Sequence, residues 1–322
     1  MLAWDLCWRS ASPLHGMCLN RSLICCSGLS THQVDDAVGF KLSQLMAHGP
    51  KEALTRTEHQ QPALLAHSCA VAAVLRDEYG LDMCKEFKLL MGHSLGEFSA
   101  LAVSGAVSVG DAALVVAKRG RAMQAAADAL GVPGKMAVLL LARRDEVQNV
   151  LKEQGDFVQI ASVNSPKQIV ISGPASRVDT AVKEIKDRKF ARRVRELDVS
   201  APFHCDVMVP AAQELAELLD SIDIKQPQIP IVSFCQAGAA AQAVVDIQAI
   251  KKGLVEQVYR PVLWADGVEF CMTQGVDEFW EMGPGSVLGG LVKECAPSAK
   301  CTAIDTDEDV DAVVQSFKTT ST

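Results

Sequence analysis

The chain has 322 residues, of which 49% are hydrophobic and 22% charged, and its formal net charge is -8 at pH 7. This composition is typical of a globular protein with enough apolar material for a large α/β core and a smaller second one. The negative charge argues against nonspecific nucleic-acid binding, and no apolar run approaches the roughly 20 residues that a membrane-spanning helix needs. The 11 cysteines contain no Cys-x-x-Cys pair and favour free thiols over disulfides or a zinc site.

The first residues differ in composition from the rest of the chain. Residues 1–30 are rich in Ser, Leu and Cys, are poor in acidic residues and include Arg9 and Arg21. Such a composition is compatible with a transit segment for a mitochondrion or plastid. A disordered terminus or a misassigned first exon are the alternatives, and without an organellar address we expect the protein in the cytoplasm.

The hydrophobic periodicity of the following residues predicts alternating helices and strands. A helix from about residue 62 precedes a short buried strand at 87–91, and a long helix capped by Asp111 runs to about Leu130. Between 133 and 199 the order strand-helix-strand-strand-helix-strand is that of a split βαβ unit. Helices and strands then alternate again, with helices at about 207–221, 246–257, 261–273 and 286–295.

These patterns predict an α/β fold with two domains. We expect a large, mostly parallel, α/β-hydrolase-like domain formed by residues 39–132 and 200–307. A small ferredoxin-like subdomain, residues 133–199, is inserted into it. Residues 1–38 form an atypical N-terminal segment and residues 308–322 a C-terminal tail.

The stretch GHSLG, residues 92–96, places Ser94 between two glycines at the predicted junction of a strand and a helix. This is the arrangement of a nucleophile elbow, in which a strained turn exposes the serine hydroxyl. The first amides of the following helix, including that of Leu95, then face an oxyanion formed on the attacked carbonyl. A plain strand-to-helix turn is the alternative interpretation.

A serine nucleophile needs a base, and His204 is the best placed of the seven histidines. It lies on a loop between the last strand of the small subdomain and a helix, where a side chain can reach a cleft. We expect His59 and His67 on loop or helix surfaces ahead of the elbow. Asp198 and Asp206 are near His204 in sequence, but nothing in the sequence orients either of them as a third catalytic member.

Arg119 occupies the apolar stripe of its predicted helix, whereas Lys118 and Arg121 point away from it. A buried guanidinium keeps its proton and therefore needs an anion nearby. That anion is either the carboxylate of a structural salt bridge or a carboxylate of the substrate.

Seven motifs in fixed order extend over about residues 39–307: TEHQQPALL, GHSLGEFSAL, KRGRAMQ, VNSPKQIVISG, VSAPFH, LVEQVYRPVLW and EMGPGSVLGGL. Together they resemble the malonyl-CoA:acyl-carrier-protein transacylases and the related acyltransferase domains of fatty-acid and polyketide synthases. The resemblance implies that malonyl-CoA and phosphopantetheinylated acyl carrier protein are the substrates in type II fatty-acid synthesis, with no cofactor and no metal.

The resemblance also implies roles for individual residues. Ser94 accepts the malonyl group as an ester, with His204 as general base and then acid, before the group passes to the carrier thiol. The main-chain carbonyl of Gln257 orients the histidine, and Arg119 binds the free malonyl carboxylate. Further positions that match the site are Leu95, whose amide is one oxyanion donor, and the lining residues Gln61, Met123, Asn164 and Phe203. Plain packing is the alternative interpretation for each of these positions, and for Met123 it is the first interpretation. The bulky ring of Phe203 favours malonyl over 2-methylated acyl groups.

Two departures from the family pattern stand out. Relatives begin with a strand that ends in a GQGSQ-like loop, whose first glutamine supplies a second oxyanion amide. Residues 1–38 contain nothing of that form, and the nearest stretch is CCSGLSTHQ. We therefore expect the first strand to be missing, with an exposed sheet edge, and turnover to fall by about 10²–10³. In addition, IVSFCQAG stands where the family carries Asn-rich polar residues.

Residues Lys183–Arg195 contain seven cations, and part of this stretch is a candidate docking site for the acidic acyl carrier protein or for the phosphates of CoA. A solvated helix face is the alternative. We expect a monomer that binds neither nucleic acid nor membrane. Two other functions stay open at this point: a serine esterase that releases the acyl group to water, and an inactive relative that lacks the N-terminal oxyanion loop.

Overall fold

A computed structural model of the chain describes residues 2–4, 31–155, 157–199, 201–234 and 240–320. These residues form a mixed α/β fold with two β-sheets. The strands are β1 (Leu2–Trp4), β2 (Leu90–Gly92), β3 (Gly134–Leu140), β4 (Gln159–Ser165), β5 (Gln168–Pro174), β6 (Arg193–Glu196), β7 (Ile231–Ser233), β8 (Gln242–Val244), β9 (Glu278–Met282) and β10 (Lys300–Ile304). The helices are α1 (Thr31–Val38), α2 (Leu42–His48), α3 (Lys51–Leu54), α4 (Thr57–Tyr79), α5 (Met83–Glu86), α6 (Gly96–Val103), α7 (Val109–Ala129), α8 (Arg144–Glu153), α9 (Ala175–Asp187), α10 (Val209–Ser221), α11 (Ile247–Glu256), α12 (Trp264–Thr273), α13 (Val287–Cys295) and α14 (Asp307–Thr320).

The larger sheet has the strand order β10-β9-β1-β2-β7-β8. Four of its pairings are parallel, and the edge strand β8 runs antiparallel to β7. In this register Trp4 lies beside both Gly92 and Met282. Because β1, β2 and β9 are parallel, their carboxyl ends meet at one edge of the sheet, where parallel sheets place ligand sites.

The expectation of a missing first strand is wrong, because Leu2–Trp4 pairs with both β2 and β9. The three residues were too few to give a periodic signal. The remaining predictions for the N-terminus, the absent oxyanion loop and the transit segment, fall mainly on residues 5–30, which lie outside the described residues. Residues 31–38 form α1, where Val34 and Val38 join the hydrophobic core.

The smaller sheet is antiparallel, with the order β4-β5-β3-β6. This is the strand order of a split βαβ unit, and α8 and α9 contribute buried apolar side chains to the core beside it. Two hydrogen bonds tie β4 to the segment before α12. Val163 N–H donates to Val262 O at 2.9 Å, and Val262 N–H donates to Ala161 O at 3.0 Å.

The long helices α4 and α7 cross closely beside the larger sheet. A Cβ at Gly120 would lie 2.7 Å from the main-chain oxygen of Thr57, so only glycine allows this crossing. The contact uses the first turn of α4, which begins at Thr57 and not near residue 62 as predicted. Pro62 lies inside the helix because the polar residues ahead of it, which gave no apolar periodicity, are also helical.

The cap of α7 also differs from the prediction. Ser108 is the N-cap residue, and its Oγ accepts a hydrogen bond from Asp111 N–H at 3.0 Å and donates to Asp111 Oδ2 at 2.6 Å. Asp111 is therefore in the first turn, and Ser108 caps the helix by accepting from its main-chain N–H.

The C-terminal segment predicted as a tail contains the helix α14, which packs through Val310, Val313 and Val314. Tyr79 Oη donates to Asp311 Oδ1 at 3.0 Å and links this helix to α4. None of the helices in the described residues combines the length and apolar character required to cross a bilayer.

Candidate active site

Ser94 lies between β2 and α6 in a strained backbone conformation. Its φ is 51°, a left-handed value that costs free energy for a residue with a Cβ. The strand and helix approach so closely that a Cβ at Gly92 would lie 1.9 Å from the main-chain carbon of Gly96. Leu95 immediately precedes α6, so its amide is at the helix N-terminus beside the serine. This local geometry is that of a nucleophile elbow.

Arg119 projects from α7 to the serine and is only 2% exposed. Its Nη2 donates to Ser94 Oγ at 2.9 Å and to Gln257 Oε1 at 3.1 Å, while Nη1 donates to Gln61 Oε1 at 2.6 Å. A guanidinium that contacts the serine hydroxyl directly places a fixed positive charge within reach of any acyl group carried on Ser94.

His204 is buried on the loop before α10, as its position in the sequence predicted, and its φ is 57°. Its Nδ1 is 2.6 Å from the main-chain oxygen of Gln257. Since a carbonyl oxygen only accepts, Nδ1 carries the proton and Nε2 keeps a lone pair. Burial, followed by the charge of Arg119, lowers the pKa of His204 to about 3. The imidazole is therefore neutral at pH 7 and able to accept a proton.

Gln257 connects the three groups. Its side-chain oxygen accepts from Arg119, which also donates to Ser94, and its main-chain oxygen accepts from His204. The main-chain carbonyl of Gln257 is thus the acceptor that His204 Nδ1 contacts. Of the two acids considered as a third catalytic member, Asp198 is exposed, and Asp206 interacts with Gln159 instead.

Gln61 holds the other side of the guanidinium. Its Nε2 donates to Thr57 Oγ1 at 2.8 Å and lies 3.7 Å from Met123 Sδ, so its side-chain oxygen is turned to Arg119. Met123 is fully buried and belongs to the hydrophobic core, which agrees with the packing interpretation. Phe203 is half-buried and packs against the cores of both sheets, directly before His204.

The smaller sheet reaches the elbow through Asn164 on β4. The Nε2 of His93 is 3.0 Å from Asn164 Oδ1, and burial lowers the pKa of His93 to about 4. His93 is therefore neutral, and its ring packs beside Trp264 at a centroid distance of 5.6 Å. Asn164 thus contacts His93, the residue that precedes Ser94 in the chain. Among the hydrogen bonds of the described residues, none joins Asn164 to Ser94 itself.

The prediction that His67 lies on a loop or helix surface is wrong. The residue is buried in α4, and its Nε2 is 3.1 Å from the main-chain oxygen of Asp305. The helix faces the core on most of its circumference, so a lone polar residue did not mark a solvent-exposed side. Glu97, a buried carboxyl residue in the first turn of α6, is a part of the site that the sequence analysis missed.

The comparisons with known proteins identify the family of the chain. The model of the acyl transferase domain family matches residues 30–318. This chain belongs to that family. The resemblance inferred from the seven motifs is therefore confirmed, and the chain is an acyltransferase.

Relatives of this acyl transferase domain cover nearly its whole length. The malonyl CoA-acyl carrier protein transacylase of Bacillus subtilis is 38% identical over 289 residues, 89% of this chain and 87% of the relative. Among solved structures, the malonyl-CoA:acyl carrier protein transacylase of Xanthomonas oryzae pv. oryzae is 36% identical, with a TM-score of 0.88 and 98% of each chain covered. A malonyl-transacylase in complex with its type II polyketide synthase acyl-carrier protein is 32% identical, with a TM-score of 0.84 and 98% of each chain covered.

Proposed function

We propose that this chain transfers a malonyl group from malonyl-CoA to the phosphopantetheine thiol of an acyl carrier protein, with Ser94 as nucleophile and His204 as base. The hydrogen bond between Arg119 Nη2 and Ser94 Oγ carries this proposal. A buried cation at the nucleophile suits an acyl group that has a second, charged carboxylate, and it gives no advantage to a neutral acyl group.

We propose the following first half-reaction for these groups. His204 Nε2 takes the hydroxyl proton of Ser94, and Oγ attacks the thioester carbonyl. The N–H of Leu95 donates to the resulting oxyanion. When the tetrahedral intermediate collapses, the C–S bond breaks, and the CoA thiolate takes the proton from His204. Malonyl is then an ester on Ser94, with its free carboxylate at Arg119.

The second half-reaction repeats these steps with the carrier thiol. The thiol gives its proton to His204, the sulfur attacks the ester carbonyl, and the bond to Oγ breaks. Ser94 recovers its proton from the imidazolium. We propose Gln61, Asn164, Met123 and Phe203 as the lining of the acyl site, and the main-chain carbonyl of Gln257 as the group that orients the base.

Malonyl loading followed by intact-mass measurement tests this function. We expect incubation with malonyl-CoA to add one malonyl group, to lose it to added carrier protein, and to give no adduct with S94A. Rapid release of free malonate would instead indicate the esterase. A wild-type chain that forms no adduct and consumes no malonyl-CoA would refute the proposal and support an inactive relative.

The docking site for the carrier protein is a further proposal, supported by exposed cations on α9, β6 and the turn between them. Six of the seven are exposed and are not in a salt bridge among the described residues: Lys183, Lys186, Lys189, Arg192, Arg193 and Arg195. Arg188 pairs with Glu153 and Glu184 and is therefore left out of the docking site. Acyl carrier proteins are acidic, so this basic face would steer their approach to the cleft.

Neutralising Lys186, Lys189 and Arg192 to glutamine tests the docking site. We expect kcat/KM for the carrier protein to fall about ten-fold at low salt and to converge with wild type at high salt. Malonyl loading from malonyl-CoA should not change. Neutralising the exposed Lys51, Lys118 and Lys225 is the matched control, and an equal effect of both triple variants would contradict the proposal.

We also propose the finer architecture and the cellular address. The parallel pairings of β1, β2, β7, β9 and β10 support an α/β-hydrolase-like large domain, and the order of β3–β6 supports an inserted ferredoxin-like subdomain at 133–199. An organellar address would reside in residues 1–38. Because cleavage after residue 4 would remove β1 from between β2 and β9, we propose an address that stays on the mature protein. N-terminal sequencing that finds a mature chain beginning after residue 4 would contradict this proposal.

A further inference from the structure

The carboxyl group of Glu97 lies inside the site but takes no part in the proposed steps. Glu97 is three residues after Ser94, in the first turn of α6, and it is 4% exposed. Placing a carboxyl group in a protein interior is unfavourable unless hydrogen bonds compensate it. Such a group therefore calls for a structural or functional account.

Glu97 is hydrogen-bonded to the residue that links Arg119 with His204. Its Oε2 accepts from Gln257 Nε2 at 2.5 Å. The other end of the same amide, Gln257 Oε1, accepts from Arg119 Nη2 at 3.1 Å. The chain of contacts thus leads from the carboxyl group, through one side-chain amide, to the guanidinium.

The direction of these bonds is fixed by chemistry. Arg119 only donates, so Gln257 must turn its oxygen to the guanidinium and its NH₂ group the opposite way. There the NH₂ group needs an acceptor, and Glu97 supplies it. Burial raises the pKa of Glu97 to about 7, against the opposing effects of the Gln257 hydrogen bond and the Arg119 charge. Whether ionised or protonated, the carboxyl group keeps an acceptor oxygen for the amide.

Gln61 is anchored in the same way on the opposite side of the guanidinium. Thr57 Oγ1 accepts from Gln61 Nε2, which leaves Gln61 Oε1 to Arg119 Nη1. The guanidinium is therefore held between two amides, each fixed by a buried oxygen. Once Ser94 carries an ester, its Oγ is a weaker acceptor for the Arg119 Nη2 hydrogen bond than the hydroxyl oxygen was. The two amides then set the direction of the guanidinium.

We propose that Glu97 is a positioning residue that, through the side-chain amide of Gln257, directs Arg119 toward the carboxylate of the acyl group. The inference rests on the proposed function in that Arg119 receives this carboxylate. Loss of the acceptor at position 97 frees the Gln257 amide and lets the guanidinium turn away. Acyl groups that lack a carboxylate do not depend on that direction.

The decisive variant is Glu97→Leu, in which an apolar side chain of similar size fills the space but offers no acceptor to the Gln257 amide. We expect the ratio of kcat/KM for malonyl-CoA to that for acetyl-CoA to fall about ten-fold, since a buried donor is left without a partner. Glu97→Gln, which retains an acceptor oxygen, should restore the ratio to within about three-fold of wild type. Asp35→Asn, a change at another buried carboxylate that is bonded to Ser43, is the control for a general loss of stability.

A second variant covers the case in which Glu97→Leu does not fold. Gln257→Leu leaves the main-chain carbonyl for His204 and removes only the amide link. It should lower the malonyl-to-acetyl ratio as Glu97→Leu does, and the double variant should be no worse than either single one, since both changes interrupt one chain of contacts.

Binding measurements separate this inference from the proposed function. In the Ser94→Ala background no transfer occurs, so the dissociation constants of malonyl-CoA and acetyl-CoA, measured by calorimetry, report recognition alone. Adding Glu97→Leu should weaken malonyl-CoA about ten-fold and leave acetyl-CoA unchanged. An equal effect on both ligands, or none on either, overturns the positioning role even if wild type transfers malonyl. A wild type that forms no adduct refutes the function, while the binding ratio still decides the role of Glu97.

Discussion

Replacing Arg119 by methionine should invert the acyl preference of the enzyme. The side chain is 2% exposed and hydrogen-bonded to Ser94, Gln61 and Gln257. Methionine keeps much of the apolar length in the α7 stripe and removes the charge. Malonyl then loses its counter-ion, whereas acetyl, which has no carboxylate, loses nothing of that kind.

The magnitude follows from burial and distance. Two unit charges 4 Å apart interact by about 4 kcal/mol at an effective dielectric constant of about 20. At 1.36 kcal/mol per decade that corresponds to about a 10³-fold ceiling on the loss of malonyl loading. Water that enters the emptied space recovers part of this, so we expect a loss of about 30- to 1000-fold. The oxygens of Gln61 and Gln257 lose a donor in both reactions, and this cost cancels in the ratio.

The assay is competition between equal concentrations of malonyl-CoA and acetyl-CoA, with rapid quenching and intact-mass detection of the acylated chain. Arg121→Met on the same helix is the control, because Arg121 is exposed and pairs with Glu58 at 3.4 Å. Equal losses for both acyl groups in Arg119→Met would refute the assignment of this guanidinium to the substrate carboxylate.

Three further predictions concern the elbow, the acyl pocket and acid stability. Gly92→Ala should destabilise the fold by more than about 3 kcal/mol, since its Cβ meets Gly96, whereas Gly290→Ala has open space; equal melting temperatures would contradict this. Phe203→Ser should raise loading of methylmalonyl-CoA relative to malonyl-CoA about ten-fold, and an unchanged ratio would exclude Phe203 as the selective contact. Burial lowers the pKa of His67 from 6.5 to about 4. The unfolded chain therefore binds the proton first, and stability is lost as pH falls below about 6.5, by about 2 kcal/mol at pH 5. Urea unfolding of His67→Gln should show a correspondingly smaller loss between pH 7 and pH 5, and a loss equal to that of wild type would count against the burial argument.

Much of the site was predictable because its signals are local. Gly92 and Gly96 around Ser94 identify a strand-to-helix corner from five residues. The helical period alone placed Arg119 on the buried face of α7. The position of His204 followed from the loop between the last strand of the small sheet and the next helix. Each inference needed only the residues of one or two neighbouring elements.

The contacts that the sequence did not disclose join distant parts of the chain. Glu97 and Gln257 are 160 residues apart, and neither has a periodicity that points to the other. His67 was misplaced because α4 is covered on several sides, which only the packing of other helices decides. Leu2–Trp4 is too short to stand out as a strand, and its place in the sheet depends on pairing with residues near 90 and 280.

The central place of β1 makes the larger sheet depend on the first few residues of the chain. Strands β2 and β9 do not pair with each other but are joined through β1. In a product translated from a later methionine, β1 would be absent. The larger sheet would then consist of a two-stranded and a three-stranded part, each with an unpaired edge strand. Unpaired edge strands pair with strands of other chains. The shortened product should therefore aggregate, and not merely fold into an enzyme with lower activity.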